Sequence, residues 1–323
     1  MVSERIAASD RLAVLCGPTA VGKTAVAVAL AERMGAEIVA ADSRTVYRGA
    51  DVGTAKPTPD DRRCVRHHLL DVADPGEAFT LADYQRLARL ALADIRARGR
   101  LPLLVGGTGL YIRAVVDGLS LPPVSPDHAL RAALEADERE RGSGHLHARL
   151  AVLDPAAAAR IHPRNLRRVI RAMEVVLRTG RPISTQQRQG GGDAEAGTVA
   201  MVGLTMERTQ LYRRIDARVE AQMASGLVEE TRLLLDRGIP LSAPIMQALG
   251  YKEMAGWLTG ACDAAEAVRR LKRNTRRYAK RQLTWFRHDT RIHWVDATGL
   301  TQESVIERVH AIMNSTLSLC GEA

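Results

Sequence analysis

The chain alternates between short apolar runs and longer segments with helical spacing. Leu12–Leu15 is followed by a Gly-rich turn and the Ala-rich stretch Ala25–Met34, which reads as strand, loop and helix. Ile38–Ala41 is a second apolar run, ending at Asp42, and His68–Val72 is a weaker strand. Leu81–Arg98 is an Ala/Leu-rich helix, and Leu101–Val105 returns as a strand that ends in Gly106-Gly107-Thr108-Gly109. Val199–Leu204 and Ile292–Val295 are later runs of the same kind. Short apolar runs alternating with helices predict an α/β fold, a parallel sheet covered by helices.

Between Leu121 and Thr198 the pattern changes. Pro122-Pro123 and Pro126 break the chain, Ala/Leu/Arg-rich helical stretches follow without a strand, and the segment closes with Gln189-Gly190-Gly191-Gly192-Asp193. A helical insertion bounded by breakers is the reading. The expected organisation is a core of residues 1–121 and 198–323, with a helical insertion domain at 122–197. After Glu207 the chain is again helical to about Arg287, giving a helical C-terminal region.

Composition narrows the class. A length of 323 residues fits two domains, or one core with a sizeable insertion. The 46% hydrophobic and 26% charged fractions exclude a disordered or collagen-like chain. No apolar run reaches the roughly 18 residues of a membrane span, and the polar stretch Met1–Asp10 lacks the apolar region of a signal peptide. Cys16, Cys64, Cys262 and Cys320 are scattered, with no C-x-x-C pair, so a reduced cytoplasmic setting is expected. The formal charge is +9. It is concentrated between Arg269 and Arg291, where ten Lys and Arg residues face only Asp289 within the segment. Such a stretch is either a solvated helix face or a contact for a polyanion.

Gly17-Pro18-Thr19-Ala20-Val21-Gly22-Lys23-Thr24 fits G-x-x-x-x-G-K-[ST], directly after a strand and before a helix. Glycines let such a P-loop wrap an anion with backbone N–H groups, Lys23 adds a positive charge, and the Thr24 hydroxyl suits Mg²⁺. A P-loop NTPase usually carries an acidic residue at the end of a second strand. Leu101–Val105 ends in glycines instead, which leaves Asp42 or Asp71 for a metal role. Ligands of open α/β sheets sit beyond the carboxyl ends of the strands. Three such ends would bring the P-loop, Asp42-Ser43 and Gly106–Gly109 around one crevice. Taken singly, Asp42 also reads as a helix N-cap and Thr108 as a turn residue.

These blocks resemble the bacterial tRNA dimethylallyltransferase family. The resemblance rests on Gly17–Thr24, Ala41–Gly49, Asp51–Pro57, Gly106–Tyr111, Arg171–Val175, Gln247–Glu253 and Thr275–Phe286, in the family's order along nearly the whole chain. It implies transfer of a dimethylallyl group from dimethylallyl diphosphate to N6 of the adenosine 3′ of the anticodon. It also implies a P-loop that holds the diphosphate with Mg²⁺ at Thr24, Asp42 as proton acceptor and Thr108 as its positioning partner.

By the same match, Asp42, Ser43, Arg44 and Thr45 would line the nucleotide's channel. Arg167, Arg168 and Arg171, with Gln247, Gly250, Tyr251 and Lys252, would contact the anticodon arm of tRNA. Arg277, Lys280, Arg281 and Gln282 would hold tRNA near the pocket mouth. A cytoplasmic monomer is expected. Two departures stand out: Arg44-Thr45 replaces the family's common Met-Gln, and His162-Pro163-Arg164-Asn165 differs from its usual Asn-Pro pattern. Other chemistries on a P-loop are a small-molecule kinase, which predicts ATP turnover, and a free adenine-nucleotide prenyltransferase. A non-catalytic RNA-binding protein leaves the P-loop without a use.

Overall fold

The computed structural model describes residues 11–122, 124–188 and 197–318. In chain order these form β1 (Arg11–Cys16), α1 (Lys23–Met34), β2 (Ala36–Ala41), α2 (Pro59–Cys64), β3 (His67–His68), α3 (Leu81–Ala97), β4 (Leu101–Gly106) and α4 (Gly109–Val116). Helices α5 (His128–Arg141), α6 (His145–Leu153), α7 (Pro155–Ala158), α8 (Leu166–Thr179) and α9 (Ile183–Arg188) follow. The chain then runs through β5 (Thr198–Thr205), α10 (Arg208–Ala224), α11 (Leu227–Asp236), α12 (Tyr251–Leu258), α13 (Ala264–Phe286), β6 (His293–Asp296) and α14 (Gln302–Ser318).

The strands make one sheet in the order β3-β2-β4-β1-β5-β6, every neighbouring pair parallel. β1 lies inside the sheet, with Ala13 opposite Leu103 on one side and Ala200 on the other. Its side chains alternate between two cores. Ala13 and Leu15 pack with α1 and α14 residues such as Leu30 and Val309, while Leu12, Val14 and Cys16 pack with α3 and α4 residues such as Leu92 and Ile112. Coverage on both faces explains why the strands read as continuous apolar runs. A third cluster joins α10–α13 to Val46, Tyr47 and Ala50.

One expectation is corrected here. The run His68–Val72 yields a strand of only His67–His68, because Leu69 and Asp71 take left-handed backbone with φ 65° and 57° and leave the ladder. The chain instead runs against residues 45–47, with the amides of Val72 and Ala73 donating to Val46 O at 2.8 and 3.0 Å. Compact units divide the chain into Asp117–Ala194 and the remainder, an insertion whose bounds lie within a few residues of the expected 122–197. The Gly-rich stretch 189–193 lies outside the described residues. Among the described residues no helix is long and apolar enough to cross a membrane.

The unit Asp117–Ala194 has its own core of Leu134, Leu146, Leu150, Val169 and Met173, all from helices. Glu174 is buried beside it and takes both Arg131 and Arg171 as ion partners, together with the Asp127 amide at 2.8 Å. Burial alone would raise its pKa, but these donors outweigh it and hold the carboxyl at about 2, against 4.5 ordinarily. The depressed value means that this stabilisation is complete above pH 4.5 and is lost as pH falls toward 2. Glu174→Gln is expected to cost about 3–5 kcal/mol, the scale of a broken buried ion pair. Denaturant unfolding at neutral pH checks this; an unchanged midpoint would show that the triad contributes nothing.

Candidate active site

The site begins with the backbone after β1. Gly17 has φ 141°, and a Cβ there would lie 2.6 Å from Leu204 O on the neighbouring strand, so only glycine lets the loop turn. Helix α1 starts at Lys23 with Gly22 as N-cap, no capping side chain and no acidic residue in its first turn. Its first N–H groups therefore carry the helix's positive end uncompensated, as an anion cradle requires. Lys23 Nζ donates to Gly17 O at 2.9 Å and Pro18 O at 2.8 Å, folded back onto its own loop.

A second cation enters from a distant element. Arg218 of α10 donates to Thr19 Oγ1 at 3.2 Å, and both line the same cavity of about 120 Å³. Burial, then repulsion from Arg218, pulls the Lys23 pKa down to about 8, and Asp42 opposes the shift. Arg218 is lowered in the same way by burial and by Arg214. Asp42 is the single carboxylate among the residues lining that cavity. The cradle thus holds more positive charge than the protein neutralises, which is the electrostatic condition for binding a polyanion.

Asp42 follows β2. Its Oδ1 accepts the Arg44 amide at 2.8 Å in a tight turn, so it is not a helix N-cap. Among the described residues no donor holds Oδ2. Thr108, after β4, donates its amide to Ala41 O at 3.1 Å, and its hydroxyl accepts the Ser43 amide at 3.1 Å. Tyr278 of α13 lines the same cavity; burial, then the Asp42 charge, pushes its phenol upward, so it stays protonated. Gly106 permits this closeness, since a Cβ there would sit 2.0 Å from Ala41 O. The cavity continues over an apolar floor of Ala27, Ile38, Ala40 and Val105 to Thr54, Ala55, Pro57 and His67.

The sequence-predicted residues divide sharply. The P-loop residues and Asp42 come together with Gly106 and Gly107, and Thr108 stands behind Ser43. Asp71 is removed as a metal ligand, because its carboxylate is taken by Lys56 at 2.6 Å and Arg62 at 3.0 Å. Gln282 is buried, accepting the Thr19 amide and donating to Gly107 O, both at 2.9 Å. It bridges the ends of two strands and lines the cavity. Tyr251 is fully buried with its hydroxyl on Glu230, and Gly250 is buried beside it, so neither side offers tRNA a surface. Thr45 is buried but lines the cavity, Arg44 is tied to Pro244 O, and Arg171 is committed to Glu174. Arg167, Arg168, Gln247, Lys252, Arg277, Lys280 and Arg281 are exposed.

Helix α13 explains its own charge. Arg269 and Arg270 pair with Glu266, Lys272 with Glu220 and Arg276 with Asp216. The expectation that only Asp289 opposes this stretch is therefore corrected: acids of α10, and Glu266 just before the stretch, neutralise part of it. Among the described residues Arg273, Arg277, Lys280 and Arg281 have no acidic partner. Arg218 and Tyr278 were missed as site residues. Tyr278 lies inside a block already singled out, whereas nothing local marks Arg218.

Among the described residues no three His, Cys, Asp or Glu side chains gather as a metal cage. Thr24 with a single carboxylate nearby fits a Mg²⁺ that keeps its waters and rides on substrate phosphates.

A parallel α/β sheet with a glycine-rich loop and a helix N-terminus at its carboxyl edge, facing a carboxylate across a small half-apolar cavity, is the arrangement of a group-transfer enzyme. The chain belongs to the IPP transferase family, whose model matches residues 45–289, while an isopentenyl transferase model matches residues 10–75. It is 52% identical over 288 residues to a tRNA dimethylallyltransferase of Symbiobacterium thermophilum, covering 89% of this chain and 90% of that one. A solved full-length tRNA isopentenylpyrophosphate transferase of Bacillus halodurans is 44% identical, with a TM-score of 0.73, covering 96% and 98% of the two chains. A eukaryotic dimethylallyltransferase acting on tRNA is 26% identical with a TM-score of 0.81, covering 96% of this chain and 80% of that one.

Proposed function

We propose that this protein transfers the dimethylallyl group of dimethylallyl diphosphate to N6 of the adenosine 3′ of the anticodon in tRNA. The observation that carries the reading is the excess of cations at the N-terminus of α1, set against one carboxylate across an apolar-floored cavity, in a chain of this family. The C1–O bond of the allylic diphosphate breaks and its electron pair leaves with the diphosphate. Negative charge grows where Lys23, Arg218 and the loop amides already point, so the stabilisation is larger in the transition state than before it. The N6 lone pair forms the new bond to C1, and the N6 proton passes to the free oxygen of Asp42. Thr108, bonded to the Ser43 amide and to Ala41 O, keeps the Asp42 turn in place and so positions the proton acceptor. Thr24 would hold Mg²⁺, which supplies further charge to the leaving diphosphate when bound.

The base must leave its stack to reach such a cavity. The exposed Arg277, Lys280 and Arg281 share one face of α13, at three- and four-residue spacing, and suit tRNA phosphates. Neutralising each is expected to flatten the slope of log affinity against log salt by roughly 0.7–0.9. Arg276, already paired with Asp216, is expected to change stability instead. Filter binding of the triple alanine variant across a salt series checks this; an unchanged slope would put tRNA elsewhere.

The function itself is tested by incubating the protein with dimethylallyl diphosphate, Mg²⁺ and unmodified tRNA, then weighing the nucleosides. Gain of one dimethylallyl unit on adenosine is the expected result. ATP consumption without that gain points to a kinase, and transfer to free adenine nucleotides but not tRNA to the smaller-substrate enzyme.

A further inference from the structure

The loop 51–57 forms one wall of the cavity through Thr54, Ala55 and Pro57. It belongs to no strand or helix; the Ala55 amide donates to Val52 O and the Lys56 amide to Asp51 O, each at 3.1 Å, and Ala55 takes a left-handed φ of 51°. The turn so formed is also held from outside. The Glu230 carboxylate on α11 accepts the amides of Asp51 at 2.7 Å, Val52 at 2.9 Å and Gly53 at 2.9 Å, and the Tyr251 hydroxyl at 2.5 Å. Gln222 of α10 donates to Val52 O at 2.8 Å and Gly53 O at 3.1 Å. The Tyr251 ring fills the space where a Cβ on Gly53 would be, 2.4 Å from that position. At the other end, Lys56 is buried and donates to Asp51 and Asp71, each at 2.6 Å, and to Tyr47 O.

Glu230 is thus saturated by four donors and does not line the cavity, which excludes it as an acid or base for the reaction. Tyr251 sits among residues that the family resemblance assigns to tRNA, yet its hydroxyl serves the cavity wall. We infer that Glu230 and Tyr251 are positioning residues that set the wall of the allylic-diphosphate cavity and thereby limit the length of the allylic chain it accepts. This inference rests on the proposed transfer from an allylic diphosphate. A wall held by four converging hydrogen bonds is rigid on the scale that separates one isoprene unit from two, and release of those bonds lets the loop yield.

The variants are graded by chemistry. In Glu230→Gln one acceptor oxygen becomes an amino group, which must face either two backbone amides or an amide and a phenol. Donor then faces donor, and the loop shifts. Tyr251→Phe removes one donor and leaves three amides on the carboxylate. The experiment compares kcat/KM for dimethylallyl and geranyl diphosphate at saturating tRNA in the wild type and both variants, with tRNA affinity by filter binding. In Glu230→Gln the preference for the shorter chain is expected to fall roughly tenfold, the scale of shape discrimination in an apolar pocket. KM for dimethylallyl diphosphate rises, tRNA affinity is unchanged, and Tyr251→Phe moves the same way by less. Equal loss toward both diphosphates, or loss of tRNA affinity in their place, overturns the inference, and Tyr251→Phe still decides it if Glu230→Gln does not fold. A wild type that transfers neither group overturns the functional reading and this inference with it.

Discussion

Asp42→Asn is expected to slow the chemical step by about 10²–10⁴, the usual contribution of a positioned proton acceptor. The carboxamide preserves the turn, because its oxygen still accepts the Arg44 amide that Asp42 Oδ1 accepts now. It loses the free, charged oxygen that faces the cavity and the one negative charge that offsets Lys23 and Arg218 there. Affinity for the diphosphate is therefore expected to hold or rise, while single-turnover transfer falls. Rapid-quench measurement with bound tRNA separates the two effects. A single-turnover rate within a few-fold of wild type would remove Asp42 from proton transfer.

Lys23→Ala is expected to reduce turnover by about 10²–10³ or more, as loss of one preorganised donor to developing charge does. Two effects add. The ammonium no longer meets the leaving diphosphate, and Gly17 O and Pro18 O lose the donor that shapes the loop. Arg218 remains, held by Thr19, so residual diphosphate binding persists. The exposed α13 cations proposed to meet tRNA belong to another part of the chain, and tRNA affinity should be unchanged. Equal loss of tRNA affinity in filter binding would contradict the separation of the two substrates' contacts.

The legibility of this protein in its sequence follows from how local each feature is. The P-loop is built by consecutive residues, and its requirements are backbone ones: a glycine with φ 141° at Gly17, another before α1, a Lys and a Thr at the first helical positions. Such a motif is readable without knowing what surrounds it. The strands that carry Asp42 and Thr108 were readable for the same reason, as apolar runs between helices. His68–Val72 was not, because the left-handed turns at Leu69 and Asp71 arise from packing against residues 45–47 rather than from the run's own composition.

The sequence by itself determined the strands other than β3, the glycine-rich loop after β1 and the presence of a basic helix, since each depends on residues within a few positions of one another. Only the tertiary structure decided which side chains those elements bring together. Arg218 reaches Thr19 because α10 packs beside the loop, and Gln282 bridges Thr19 and Gly107 because α13 crosses two strand ends. The same packing sets Asp216 and Glu220 against Arg276 and Lys272, leaves Arg277, Lys280 and Arg281 without an acidic partner among the described residues, and buries Tyr251 on Glu230. Helical spacing shows which residues share a face, but the partner of that face is chosen by the burial of apolar surface across the whole core.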